Sequence, residues 1–211
     1  MNFKKVLNFL GLFILGINLL FTTEFAENLE APKEIKEIFN DQVIAEKVSQ
    51  MLGKSSTDAI VTQNELNSIR VFTYDGPNRV SNILGIQYLN NLSIFSVIDG
   101  EIIDLSPLSK LENLIYLKLS LNLIDDLKPL SRLKKLEVLD VSQNRIRDLS
   151  PLKSLKNLRE LDVLINPIAN YKQLSNLEEL RIKCSCDGYT PIPSTKYDYN
   201  VFSRFFRWIV G

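Results

Sequence analysis

The sequence predicts an α/β solenoid: a right-handed coil of short repeated units, with a parallel β-sheet on the concave face and 3₁₀ or turn segments on the convex face. Three observations support this fold. Apolar residues recur every 22 positions, they alternate within each unit, and each unit carries one proline. Many columns stay in phase over three copies, which chance does not explain. They include Leu117, Leu139 and Leu161; Leu105, Leu127 and Leu149; and Pro107, Pro129 and Pro151.

The repeated unit reads L-x-x-L-x-L-x-x-N-x-I-x-D-L-x-P-L-x-x-L-x-x, and its length lies within the range of leucine-rich repeats. Leu117 and Leu119 are two positions apart, so both face one side of a short strand. Only about 13 residues then lead to the next strand, and a proline among them fixes φ and lacks an N–H. This return run is therefore predicted as a 3₁₀ segment or tight turn rather than a long helix.

An asparagine ends each strand of the repeat, at Asn122, Asn144 and Asn166. Its amide donates two hydrogen bonds and accepts others, so it can satisfy backbone groups left free where the chain turns inward. Stacked units should therefore carry a structural asparagine ladder. The first copy departs from this pattern, because Gly100 stands where the asparagine is expected.

The first 26 residues are predicted to be an export signal. Lys4 and Lys5 precede a 16-residue apolar run, Val6 to Phe21, which is short for a membrane span of about 20 residues. Ala26 suits a cleavage site, whereas Glu24 does not, so an uncleaved anchor stays open. Either way, the chain is expected to be secreted or held at the cell surface.

Residues 32–82 are predicted to form a helical N-terminal cap and link. Asp41 can cap a helix that runs to Gly53, and Thr62 with Glu65 forms a capping box. The repeats are expected over residues 83–185, with frayed copies at both ends, as is usual for arrays.

Residues 186–211 form an atypical C-terminal segment with an aromatic cluster at Phe202, Phe205, Phe206 and Trp208. A C-terminal cap, a lipid-seeking tail and a truncated or frameshifted product are the three interpretations. Cys184 and Cys186 are too close for easy disulfide geometry. They fit two small apolar residues, with a strained bridge, an intermolecular bridge or a metal contact as alternatives.

The repeat and the cap together resemble the bacterial internalins. The resemblance rests on the N-x-I-x-D-L-x-P-L core and on the cap motifs Phe39-Asn40-Asp41, Leu52-Gly53-Lys54 and Gly85 to Leu92, and it covers residues 33–185. It implies an exported adhesin or virulence-related invasion factor that grips a host protein with its concave sheet. The chain departs from the family in having few repeats, no visible immunoglobulin-like domain and no L-P-x-T-G sorting signal.

Composition gives no support for an enzyme. Histidine is absent, which removes Ser-His-Asp and Cys-His catalysis and most zinc sites, and no phosphate-binding loop motif occurs. Lysine plus arginine equals aspartate plus glutamate, so the net charge is zero. This balance argues against nucleic acid and against an electrostatic hold on anionic lipid. No cofactor, metal or small-molecule substrate is expected, and the membrane enters only through an uncleaved N-terminal segment.

The strand residues that point away from the core predict a binding face for a protein partner, expected to come from a host. The candidate contact residues are Ile94, Tyr116, Lys118, Val138, Asp140, Glu160, Asp162, Glu179 and Arg181. Exposed Ile94, Tyr116 and Val138 are the expected apolar anchors. Two alternatives remain: a structural component of the producing cell's own envelope, and a truncated remnant of a longer repeat protein.

Overall fold

The computed structural model describes residues 27–177 and 179–183, and their core is a stack of coils with one strand per coil, as predicted. The export segment, Cys184, Cys186 and the aromatic C-terminal segment lie outside the described residues. The strands are β1 (Lys33–Glu34), β2 (Ile60–Val61), β3 (Val71–Tyr74), β4 (Ile94–Val97), β5 (Tyr116–Lys118), β6 (Val138–Asp140), β7 (Glu160–Asp162) and β8 (Arg181–Lys183). The helices are α1 (Ile35–Ile38), α2 (Gln42–Met51) and α3 (Gln63–Leu66).

Strands β3 to β8 form one parallel sheet in sequence order. Leu117 pairs with Leu139 and Leu139 with Leu161, so the 22-residue period of the sequence becomes the strand register of the sheet. The N-terminal strand β3 was not predicted: Val71 pairs with Ile94, so the sheet begins well before Ile83, inside the segment interpreted as cap and link.

The leucine columns fill the core. The seven apolar residues of each middle coil that repeat every 22 positions are almost completely buried, and in one coil they are Ile124, Leu127, Leu130, Leu133, Leu136, Leu139 and Val141. Each coil thereby buries its apolar edge against the coils before and after it, which a single coil could not do alone.

The return side consists of five 3₁₀ segments, as predicted: Ile86–Tyr88, Ser106–Leu108, Lys128–Arg132, Ser150–Ser154 and Tyr171–Leu174. The repeated proline lies in the first turn of three of them, where its missing N–H has no partner to lose. The repeated aspartate prepares this turn: Asp126 Oδ1 accepts from the Lys128 N–H at 2.9 Å, and Asp148 Oδ1 accepts from the Ser150 N–H at 2.9 Å.

The cap is joined to the array through Asp41. Its Oδ1 accepts from Val43 N at 3.0 Å and caps α2, as predicted from the sequence. Its Oδ2 accepts from the backbone N–H of Ser81 at 2.9 Å, 40 residues further along the chain. One buried carboxylate therefore holds the cap helix and the link to the repeats together. At ten residues α2 is the longest helix in the described part of the chain, where no helix is long and apolar enough to cross a membrane.

The asparagine that follows each strand bonds to two coils at once. Asn144 Nδ2 donates to Leu119 O in the preceding coil at 2.9 Å and to Val141 O in its own coil at 3.0 Å. Its Oδ1 accepts from the Ile124 N–H of the preceding coil at 2.9 Å. Asn122 and Asn166 repeat this pattern, so the amides form a continuous ladder.

The ladder also explains the glycine in the first copy. A Cβ on Gly100 would lie 2.6 Å from Asn122 Oδ1 and 2.7 Å from Val80 O, closer than side-chain atoms approach one another. The amide of the next coil already occupies the space, so an asparagine at position 100 would not fit.

The residue before each ladder position adopts a left-handed backbone. Asp99, Leu121, Gln143 and Ile165 have φ between 54° and 60°, and all four are exposed. We call this row the left-handed ridge. Leucine and β-branched isoleucine are costly in this conformation, because Cβ crowds the following carbonyl oxygen. The stack therefore holds these residues in strain.

We predict that Asn144→Ala lowers the free energy of unfolding by about 3 kcal/mol, because it leaves several buried backbone groups of two coils without partners. Chemical denaturation followed by circular dichroism measures the change. Asn157→Ala is the matched control, since exposed Asn157 donates one hydrogen bond, to Lys134 O at 2.7 Å, and should cost less than about 1 kcal/mol. Equal losses in the two variants would contradict the ladder as the dominant polar interaction.

We predict that Ile165→Asn raises the free energy of unfolding by about 1 kcal/mol, because asparagine tolerates positive φ better than isoleucine. Ile103→Asn provides the control: Ile103 is also exposed but is not among the residues with positive φ, so relief of strain cannot contribute there. A destabilised Ile165→Asn variant would show that contacts of the isoleucine outweigh its backbone strain.

Glu65 closes the predicted capping box at the start of α3, where its carboxylate accepts from Thr62 N at 2.8 Å. It also pairs with Lys54 Nζ at 2.5 Å. The Lys54 ammonium, followed by the Thr62 hydrogen bonds, lowers the pKa of Glu65 from 4.5 to about 2. Because the folded pKa lies below the unfolded value, this stabilisation is complete above pH 4.5 and is lost as the pH falls through about 2.

We therefore expect Glu65→Gln to lower the Tm at pH 7, with a difference from wild type that shrinks between pH 4.5 and about 2. Thermal melts across this range measure it. The effect should be small at every pH, because the pair is partly exposed and screened by solvent. Glu112→Gln, an exposed control, should show no such convergence; a Glu65→Gln difference independent of pH would contradict the assignment.

Candidate partner-binding face

The side of the β3–β8 sheet that points away from the leucine core carries two in-register columns of side chains; we call this side the open face. The first column consists of Val71, Ile94, Tyr116, Val138, Glu160 and Arg181. The second contains Thr73, Ser96, Lys118, Asp140 and Asp162. Neighbouring members are one strand spacing apart, about 4.8 Å.

The apolar members of the first column are not exposed, which corrects the prediction from the sequence. Ile94, Tyr116 and Val138 retain only 2%, 9% and 6% of their accessible surface, and together with Val71 they form a small apolar cluster separate from the leucine core. Side chains stacked in register across adjacent strands cover one another, an effect that a linear pattern does not reveal.

Tyr116 lies in this cluster with its phenol near acidic groups. Burial, followed by the charges of Asp140 and Glu160, raises its pKa well above the ordinary value. The ring therefore stays neutral at physiological pH. It contributes a stiff apolar surface to the floor of the open face rather than a protruding anchor.

The second column is charged and strongly organised. Asp140 is only 5% exposed, and its Oδ1 accepts from the backbone N–H and hydroxyl of Ser142 at 3.0 and 2.7 Å. Lys118 Nζ lies 3.6 Å from Asp140 Oδ2. Asp162 Oδ1 accepts from Leu164 N at 3.1 Å. These aspartates hold the chain where the strands end, so part of their role is structural.

The last strand is shifted relative to the predicted columns. Arg181 pairs with Glu160, so it belongs to the first column and not to the second. Glu179 lies in the turn before β8 and has no place on the open face. The unit before β8 has lost residues, and the resulting change of register was not visible in the leucine spacing alone.

The accessible part of the open face is its C-terminal half together with the left-handed ridge. Lys118, Glu160 and Asp162 are partly exposed and Arg181 is exposed. On the ridge, Leu121 and Ile165 are exposed to 39% and 64%. These two apolar residues were missed as candidates; their place directly before the ladder asparagines, 44 positions apart in the repeat, was the available signal.

Metal ligation finds no support in the described residues, because no three histidine, cysteine, aspartate or glutamate side chains within that part of the chain come together as a possible metal site.

Two family models match the chain. One is the N-terminal region of bacterial adhesion and invasion proteins, matched by residues 24–67, and the other is a leucine-rich-repeat pair, matched by residues 134–181. Both matched regions contain residues on which the cap and the repeats were predicted.

Relatives from Listeria monocytogenes align with parts of the chain. Internalin C is 36% identical over 67 residues, which are 32% of this chain and 22% of that protein. Internalin H is 36% identical over 94 residues, 42% of this chain and 17% of that protein. The aligned segments thus span about a fifth of the length of these curated relatives.

A crystal structure of an internalin from Listeria monocytogenes strain 4b F2365 superimposes with a TM-score of 0.67. It is 34% identical, and the match covers 72% of this chain and 45% of that one. The internalin-type N-terminal region, the leucine-rich repeats and this structural likeness together identify the chain as a leucine-rich-repeat protein of the internalin family.

Proposed function

We propose that this chain is an exported, non-enzymatic interaction protein that binds a host protein across the open face. The observation that carries the proposal is a continuous six-stranded face on which a floor of Tyr116 and Val138 adjoins partly exposed charges. The family relationship supports the same interpretation, because internalin leucine-rich-repeat proteins are interaction modules.

The distribution of exposed groups suggests how the partner is held. Exposed Leu121 and Ile165 border the face and offer apolar contacts, while Lys118, Glu160 and Arg181 offer charges of both signs. Six strands give a face roughly 25 Å long, which suits a standard interface of about 800 Å² per partner. The partner surface should therefore be a compact patch of mixed charge.

The test is capture by the full chain from two extracts in parallel, one from mammalian epithelial cells and one from the envelope of the producing bacterium. We expect a host protein that wild type retains and that Glu160→Lys binds at least about tenfold more weakly, because a reversed charge opposes the partner. Glu112→Lys is the matched control, an identical change at an exposed residue away from the open face.

A partner found only in the bacterial envelope extract would favour a structural envelope role instead. A host partner lost equally in both variants would remove the open face as the binding site. If the folded chain retains nothing from either extract, the proposal of an interaction protein fails and the truncated remnant becomes the better interpretation.

A further inference from the structure

The return side of the middle coils carries a local excess of positive charge that the neutral total conceals. Segments 131–137 and 153–159 contain six basic residues and one acidic residue, Glu137. All six basic residues are exposed. We call the five that lie together before the strands begin the basic patch: Arg132, Lys134, Lys135, Lys153 and Lys156.

The charges of the basic patch are not neutralised within the described part of the chain. No described carboxylate lies within 4 Å of any of the five side chains, although eight such ion pairs occur elsewhere in that part. Lys134 Nζ donates to Ser131 O at 2.8 Å, and Lys135 Nζ donates to Asn113 Oδ1 at 2.8 Å. These neutral acceptors hold the ammonium groups in rows without cancelling their charge.

The N-terminal end of the described chain crosses the same columns. Glu27 Oε1 lies 3.1 Å from the Nζ of Lys110, which precedes Arg132 by one 22-residue period. Asn28 Oδ1 accepts from Asn90 Nδ2 at 2.8 Å, and Asn90 stands two periods before Lys134. Whatever precedes Glu27 therefore leaves the fold on the side that carries the basic patch.

The preceding sequence contains the apolar run Val6–Phe21, which five residues separate from Glu27. An extended chain spans at most about 3.6 Å per residue, so this connection reaches roughly 20 Å. While the apolar run sits in a bilayer, the side of the coil at Glu27 is confined to the neighbourhood of that bilayer. The basic patch belongs to this side.

From the charge excess and the exit of the N-terminus on one side, we propose that the basic patch docks on the anionic surface of the membrane in which the N-terminal segment is inserted. Each lysine close to such a surface gains from its negative potential, and the gain vanishes within a Debye length. The open face then points away from the patch's side of the coil, available to a partner. This inference uses the predicted export segment and does not depend on the identity of the partner.

The test uses the full chain reconstituted in vesicles of phosphatidylcholine alone or with about 30% phosphatidylglycerol, enough for a strong negative surface potential. A water-soluble acetylating reagent that does not cross the bilayer labels exposed lysines, and mass spectrometry gives the rate at each site. We expect acetylation of Lys134, Lys135, Lys153 and Lys156 to slow at least about threefold in the anionic vesicles and to recover at about 0.5 M salt. Lys33, exposed on the cap, should react equally in both.

The double variant Lys134→Glu/Lys156→Glu should abolish the protection of Lys135 and Lys153, whereas the control Lys33→Glu/Lys47→Glu, with the same change in charge, should retain it. Equal rates in the two vesicle types would overturn the proposal. Protection by soluble polyphosphate in neutral vesicles, without protection by anionic vesicles, would overturn the assignment to lipid. Neither result bears on Glu160, so failure here is distinguishable from failure of the proposed partner binding.

Discussion

Where each strand of the sheet ends, the chain must turn sharply inside a closely packed stack, and its backbone N–H and C=O groups lose contact with water. The amides of Asn122, Asn144 and Asn166 meet this requirement by bonding to their own coil and to the coil before it. The sharp turn also places the preceding residue in the left-handed region. The leucine core supplies the driving force for stacking, but the ladder sets how one coil continues into the next.

Much of the fold followed from the sequence, because periodicity and capping act locally. The leucine columns became strand register, the prolines marked 3₁₀ turns, and Asp41 and Thr62 capped helices as expected. Strand β3 was missed because Val71-Phe72-Thr73-Tyr74 lies outside the consensus frame, although its β-branched and aromatic residues favour a strand. The shift at Arg181 was missed because a deletion moves register without removing leucines.

The candidate face was less predictable than the fold, because exposure is a property of neighbours. The sequence correctly indicated that Ile94, Tyr116 and Val138 share one column, but not that they cover one another. The left-handed ridge was hidden for another reason: glycine or asparagine announces positive φ, whereas Leu121 and Ile165 do not. Charge behaved similarly, since a neutral total concealed the unequal distribution between the open face and the return side.

The ladder amides all reach backwards along the chain. Asn122 completes the coil that contains Val97 and Ile102, and Asn144 completes the coil that contains Leu119 and Ile124. During synthesis, a coil therefore becomes fully hydrogen-bonded only after about one more repeat has left the ribosome. The array matures in the direction of translation, from a cap that is complete by itself toward a newest coil that always awaits its successor. A stalled or shortened chain would expose the backbone of that last coil, which is an unpaired edge open to other chains.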